Sequence, residues 1–137
     1  PLSTTVAAAR LLFSGFFARH GVRFILVHGG GFLPYKIGRL DRGYEVREES
    51  SEMTDRRPSE WLDLLYFDTL THNAGALSFL IDLVGADHVL FGTDLPFDMT
   101  DPGQTEVIDA LPPEVAGRIW GANAMGLIGN GRTPGAG

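Results

Sequence analysis

Three short apolar runs constrain this chain more than any other feature: Arg23-Phe-Ile-Leu-Val27, Tyr66-Phe-Asp-Thr-Leu-Thr71 and His88-Val-Leu-Phe-Gly92, each followed by a stretch with helical spacing. The first, continuous and rich in branched residues, predicts a strand buried on both faces of a parallel sheet. Upstream of it, Ser3 or Thr4 can cap a helix from about Thr4 to His20, with Val6, Ala9, Leu12, Phe13, Phe16 and Phe17 on one face and Gly21 as its stop. Between Gly38 and Ser59 the composition turns charged and predicts a surface excursion with a short helix. Pro58-Ser59-Glu60 opens a further helical turn that carries Trp61, Leu62, Leu64 and Leu65 toward a core. Asn73 caps a helix through Leu77, Leu80, Ile81 and Val84 that Gly85 ends in the left-handed conformation. Helical segments follow around Val107 to Ala110 and from Pro113 to Leu127, and "NGRTPGAG" (130–137) has the composition of a flexible tail.

Helix and strand therefore alternate throughout residues 1–129, the signature of an α/β fold with parallel strands joined by crossovers. In that class ligands bind beyond the carboxyl ends of the strands. His28 in "ILVHGGGFLP" and Asp94 in "FGTDLPF" stand at that end of two different strands.

Composition removes several functions. A formal charge of −6 with no Lys or Arg cluster offers a nucleic-acid backbone nothing to neutralise. The absence of cysteine excludes disulfides, thiolate ligands and a Cys nucleophile, so any metal would be held by His and carboxylate. No apolar run approaches the roughly 18 residues of a membrane span, and the start lacks a signal-peptide layout. A cytoplasmic protein is the expectation. "HGGGF" is only superficially like a lipase oxyanion motif, because no Gly-x-Ser-x-Gly elbow follows, and no phosphate-binding Gly-x-x-x-x-Gly-Lys loop occurs.

Each candidate residue has a plain structural alternative. His28 could fill a core, but three following glycines permit positive φ and close backbone approach, which a core histidine does not require. Asp94 could cap a helix or close an Asx turn, yet a carboxylate directly after an apolar strand needs a cation, a donor network or solvent. His72 sits beside the Asn73 cap, four residues after Asp68, and reads as a helix-entry or sheet-end hydrogen-bonding residue before it reads as a metal ligand. His20 and His88 fall at the opposite pole and read as structural, and Arg39 and Arg47 as solvated surface charges.

Taken together, "VHGGGFLPYKIGRLDRGY", "YFDTLTHNAGALSFLIDLVGADHVLFGTDLPF" and "IWGANAMGLIG" closely resemble the carboxyl-terminal part of the amidohydrolase-related enzymes, from about Phe13 to Gly129. That family includes aminocarboxymuconate semialdehyde, γ-resorcylate and carboxyvanillate decarboxylases. The resemblance implies a portion of a metal-dependent (β/α)₈ TIM barrel, about three parallel strands with helices. It implies one divalent ion, zinc before manganese, at the carboxyl face, a small carboxylic-acid substrate and a homodimer or higher homo-oligomer. It makes Asp94 a catalytic and metal-ligating or metal-bordering residue, and His28 the catalytic histidine that hydrogen-bonds metal-bound water or substrate. By the same resemblance Arg39, eleven residues after His28, contacts the substrate carboxylate of a neighbouring subunit. Phe97 becomes an aromatic pocket wall, and Arg47 a second anion contact. The expected activity is non-oxidative decarboxylation of a small unsaturated or aromatic acid, with hydrolysis of an amide or lactone, or an inactive association module, as alternatives. The family's amino-terminal His-x-His or Glu-x-His and its mid-barrel histidine have no counterpart in these residues, so a fragment, a chain completed by others or an inactive remnant are the three expectations.

Overall fold

The computed structural model describes residues 1–100 and 102–129, and the predicted tail (130–137) lies outside the described residues. Three parallel strands, β1 (Phe24–Leu26), β2 (Leu65–Asp68) and β3 (Val89–Leu90), lie side by side in chain order. Leu26 is paired with Phe67, and Phe67 in turn with Val89, so β2 is the central strand. Helices α1 (Leu2–Phe13) and α2 (Phe16–His20) precede β1; α3 (Leu33–Val46), α4 (Glu48–Ser51) and a 3₁₀ turn (Pro58–Leu64) connect β1 to β2. Helix α5 (Ala74–Val84) connects β2 to β3. After β3 come α6 (Gln104–Asp109) and α7 (Pro113–Gly117), which continues through a π-helical stretch (Arg118–Ala122) into α8 (Asn123–Gly129).

One face of the sheet is covered. Leu26, Leu65, Phe67 and Val89 bury against Leu12, Leu33, Leu77, Leu80, Ile108 and Ile119. On the other face Ile25 is 56% and Val27 48% exposed, so β1 is buried on one side only, contrary to the sequence expectation. The apolar run is as expected, but no layer within the described residues covers its second face. The last helical segment supports the outer edge of β3: Asn123 Nδ2 donates to the carbonyls of Ala86 and Val89, both at 2.8 Å.

Four local departures from the sequence reading have visible causes. The predicted single first helix starts at Leu2, without a side-chain cap from Ser3 or Thr4, and breaks at Gly15. Gly15 is left-handed (φ 67°), and a Cβ there would stand 1.9 Å from the Met53 carbonyl oxygen, so a distant loop dictates the break. The charged excursion is largely α3, whose fourteen residues bury Leu33, Pro34 and Ile37 on one side while the charges face outward. Strand β2 stops at Asp68 because its carboxylate takes the Leu70 N–H (3.1 Å) that a continuing ladder would need. Gly85 ends α5 with φ 87° and ψ 147°, a positive-φ conformation open to glycine but not the left-handed helical one.

The Asn73 cap forms as predicted, its Oδ1 accepting from the Ala76 N–H at 2.9 Å. Asn73→Ala is expected to cost about 1 kcal/mol, read as a lowered urea midpoint at unchanged slope.

Candidate active site

Among the described residues, the non-glycine positions with positive φ are His28 (59°), His72 (53°) and Asp94 (58°). One of them stands just beyond the carboxyl end of each strand. His and Asp tolerate this region better than most side chains, yet each such residue costs of order 1–3 kcal/mol and persists only where its surroundings impose it. All three line the same cavity of about 740 Å³, whose walls include Phe32, Tyr35, Leu70, Phe79 and Met99. The volume suits a small molecule, and the walls suit an apolar body presented to a few polar groups.

The glycines after His28 have an assignable task. Gly29, Gly30 and Gly31 all have positive φ (59°, 75° and 64°), as His28 before them does. A Cβ on Gly30 would lie 2.7 Å from ring carbons of Phe67, and one on Gly29 would lie 2.9 Å from Thr71 Cγ2. The loop is therefore pressed onto β2, and only glycine lets it come this close. Side-chain polarity completes the contact: the Asp68 carboxylate, 6% exposed, accepts from the N–H of His28 (Oδ2, 2.8 Å) and of Gly29 (Oδ1, 2.7 Å). Buried charge is tolerable on those terms, because several backbone donors meet it. Asp68 is the residue that sequence reasoning missed. Its adjacency to an apolar strand was visible, but its partners lie 40 and 39 positions upstream.

His28 is half-buried and lines the cavity, while its Nδ1 is itself shielded from solvent and has no hydrogen-bond partner. Such a group asks for an occupant or a role. His72 stands before the Asn73 cap as expected and also lines the cavity, so its position is not confined to helix entry. His88 is structural as expected, its Nδ1 paired with the Leu65 carbonyl at 2.8 Å and its ring stacked on Tyr66. His20 packs on Phe16.

The remaining predicted residues are not brought to the cavity. Arg39 is exposed on α3 and is not among the lining residues. Arg47 is exposed at the end of α3, 3.9 Å from Glu49. Phe97 is 68% exposed, and Met99 takes the lining position near Asp94 in its place. A polar pair below the rim went unpredicted: Thr69 Oγ1 accepts from the Gly92 N–H (3.2 Å) and from the buried Gln104 side chain.

A divalent ion does not fit these residues alone. Among the described residues no group of three or more His, Asp or Glu side chains converges to hold a metal. Asp94 and the two histidines share a cavity, but Asp94 could supply only one ligand of a fuller set.

A parallel α/β unit with His28, His72 and Asp94 beyond the carboxyl ends of its three strands has the layout of one sector of a (β/α)₈ barrel. Residues 3–129 match the family described as Amidohydrolase, and the chain belongs to that family. A 2-amino-3-carboxymuconate-6-semialdehyde decarboxylase of Dictyostelium discoideum is 32% identical over 134 residues, covering 94% of this chain and 37% of that protein. A gamma-resorcylate decarboxylase of Rhizobium sp. is 36% identical over 106 residues, covering 72% and 31%. The crystal structure of a dihydroxybenzoic acid decarboxylase from Polaromonas sp. JS666, with bound manganese and 2-nitroresorcinol, superposes with a TM-score of 0.80 at 26% identity, over 94% of this chain and 40% of that one. The chain thus spans about a third of the length of these curated relatives, and its three strands form a corresponding portion of the barrel.

Proposed function

We propose that this chain forms the His28–Asp94 rim of a non-oxidative decarboxylase acting on a small aromatic or unsaturated carboxylic acid. The observation that carries the reading is the convergence of His28 and Asp94 on one apolar-walled cavity. Its support from kinship is that the similar proteins named above are all decarboxylases. In the reaction the bond between carbon and carboxylate breaks, carbon dioxide leaves, and the electron pair that stays on carbon takes a proton. His28 would hold or move that proton on the part of its imidazole that faces the cavity, and Asp94 would set the charge of the same cavity. Phe32, Tyr35 and Phe79 would hold the substrate's unsaturated body.

One divalent ion, manganese as in the Polaromonas enzyme or zinc, belongs to this reading as the expected cofactor, with the rest of its ligands outside the described residues. The substrate carboxylate finds no Lys or Arg among the lining residues, which supports a cation from elsewhere, with Arg39 of a second copy the proposed source and Arg47 and Phe97 lesser contacts. The bare β1 face at Ile25 and Val27 supports association, as a homodimer or larger homo-oligomer. A cytoplasmic setting remains part of the reading, supported by the absence of cysteine.

The incomplete ligand set favours a second reading for the 137 residues by themselves, an inactive module that needs further polypeptide. Carbon dioxide release from 2,6-dihydroxybenzoate, measured beside hydrolysis of amides and lactones, tests the assignment. Asp94→Asn is expected to lower carbon dioxide release by about 10²-fold or more with the thermal midpoint little changed. Turnover equal to the parent, or hydrolysis in place of decarboxylation, would refute the reading.

A further inference from the structure

Asp68 and Thr69 are neighbours at the end of the central strand, and each ties down a different flanking loop. Asp68 reaches toward β1, where the consecutive N–H groups of His28 and Gly29 converge on its two carboxylate oxygens at 2.8 and 2.7 Å. Successive N–H groups in a left-handed turn form a concave anion site, and His28 and Gly29 are both left-handed. Thr69 reaches toward β3, where its Oγ1 accepts the Gly92 N–H at 3.2 Å, two residues before Asp94. Gln104, itself buried, donates to the same Oγ1 and fixes the hydroxyl from behind. A Cβ on Gly92 would stand 3.0 Å from Cβ of Asp68, so the β3 exit is also held directly against this pair.

We infer that Asp68 and Thr69 are the positioning residues of the site, a buried two-residue brace on β2 that fixes where the His28 imidazole and the Asp94 carboxylate stand relative to each other. Neither lines the cavity, so neither acts on substrate directly. The left-handed state of His28 is imposed by this brace: the Asp68 carboxylate rewards the one turn conformation in which both N–H groups face it. The inference rests on the proposed reaction only for its consequence in rate, and not for the brace itself.

Two measurements separate these parts. Asp68→Asn keeps the shape but turns one acceptor into a donor, so either the His28 N–H, or the Gly29 and Leu70 N–H groups that share Oδ1, lose their partner. Amide hydrogen exchange in the full protein is expected to show His28 or Gly29 exchanging at least about 10-fold faster, while Phe67 in the same strand keeps its protection. With 2,6-dihydroxybenzoate as the probe, kcat is expected to fall by about 10²-fold and KM to stay within about 3-fold, because cavity walls are untouched. Thr69→Val is expected to free the Gly92 amide and lower kcat, and Thr69→Ser, which restores a hydroxyl, to recover most of both. If the His28 and Gly29 amides stay as protected as in the parent, no brace exists. If they are freed while kcat is unchanged, the brace does not position the site. A parent enzyme that releases no carbon dioxide from any acid tested overturns the proposed function instead, and the exchange result then decides the brace alone. Fall of kcat, thermal midpoint and Phe67 protection together would mark a general loss of packing and overturn the inference.

Discussion

His28→Asn is expected to reduce carbon dioxide release by about 10²- to 10⁴-fold, the range over which a positioned proton donor or acceptor contributes. Asn is the informative replacement because it tolerates the left-handed backbone that His28 adopts at φ 59°, so the loop and the Asp68 contact can survive the loss of the ring. Alanine would add backbone strain to the loss of chemistry and blur the result. The variant's thermal midpoint should stay close to the parent's, and its His28-to-Gly31 loop should remain seated on β2. A thermal midpoint lowered in step with activity would show that the imidazole serves packing, and would return His28 to the plain structural role that its sequence context also allowed.

Phe67→Ala is expected to be the most destabilising single change, by about 3–5 kcal/mol. Phe67 is fully buried on the central strand, between Leu26 and Val89 in register, with the Gly30 backbone against its ring. Removing the ring leaves a cavity beneath the same loop that carries His28. Against a typical domain stability of about 5–15 kcal/mol, a loss of this size takes a large share. Urea unfolding checks it, and a loss below about 1 kcal/mol would mean that the neighbouring side chains collapse into the space. Activity should fall further than stability alone accounts for, since the glycine loop loses its floor.

The order of elements and the site's location could be read from the sequence for a physical reason. Short branched runs between helical stretches admit few arrangements, and parallel strands put their carboxyl ends on one side. His28 and Asp94 therefore share a cavity, as their positions at strand ends implied. What escaped reading depended on partners far away in the chain. Asp68 looked like a strand residue interrupting an apolar run, and nothing local says that a turn 40 residues upstream supplies its donors. Gly15 breaks the first helix because of Met53, and Phe16 and Phe17 continued the apolar stripe as though no break existed. The bare face at Ile25 and Val27 was hidden by the same logic, since a run made to be buried twice does not show whether its second cover is at hand. Phe97 illustrates the converse: the family resemblance made it a pocket wall, while here it is 68% exposed and outside the cavity lining.

The central claim is that His28 and Asp94 act on one substrate in one cavity, and a double-mutant cycle addresses it most directly. Steady-state kcat/KM for carbon dioxide release is measured for the parent, His28→Asn, Asp94→Asn and the combined variant. Groups working as a unit give a double variant scarcely slower than the worse single one. Losses that multiply, as for independent and distant positions, would contradict the shared site.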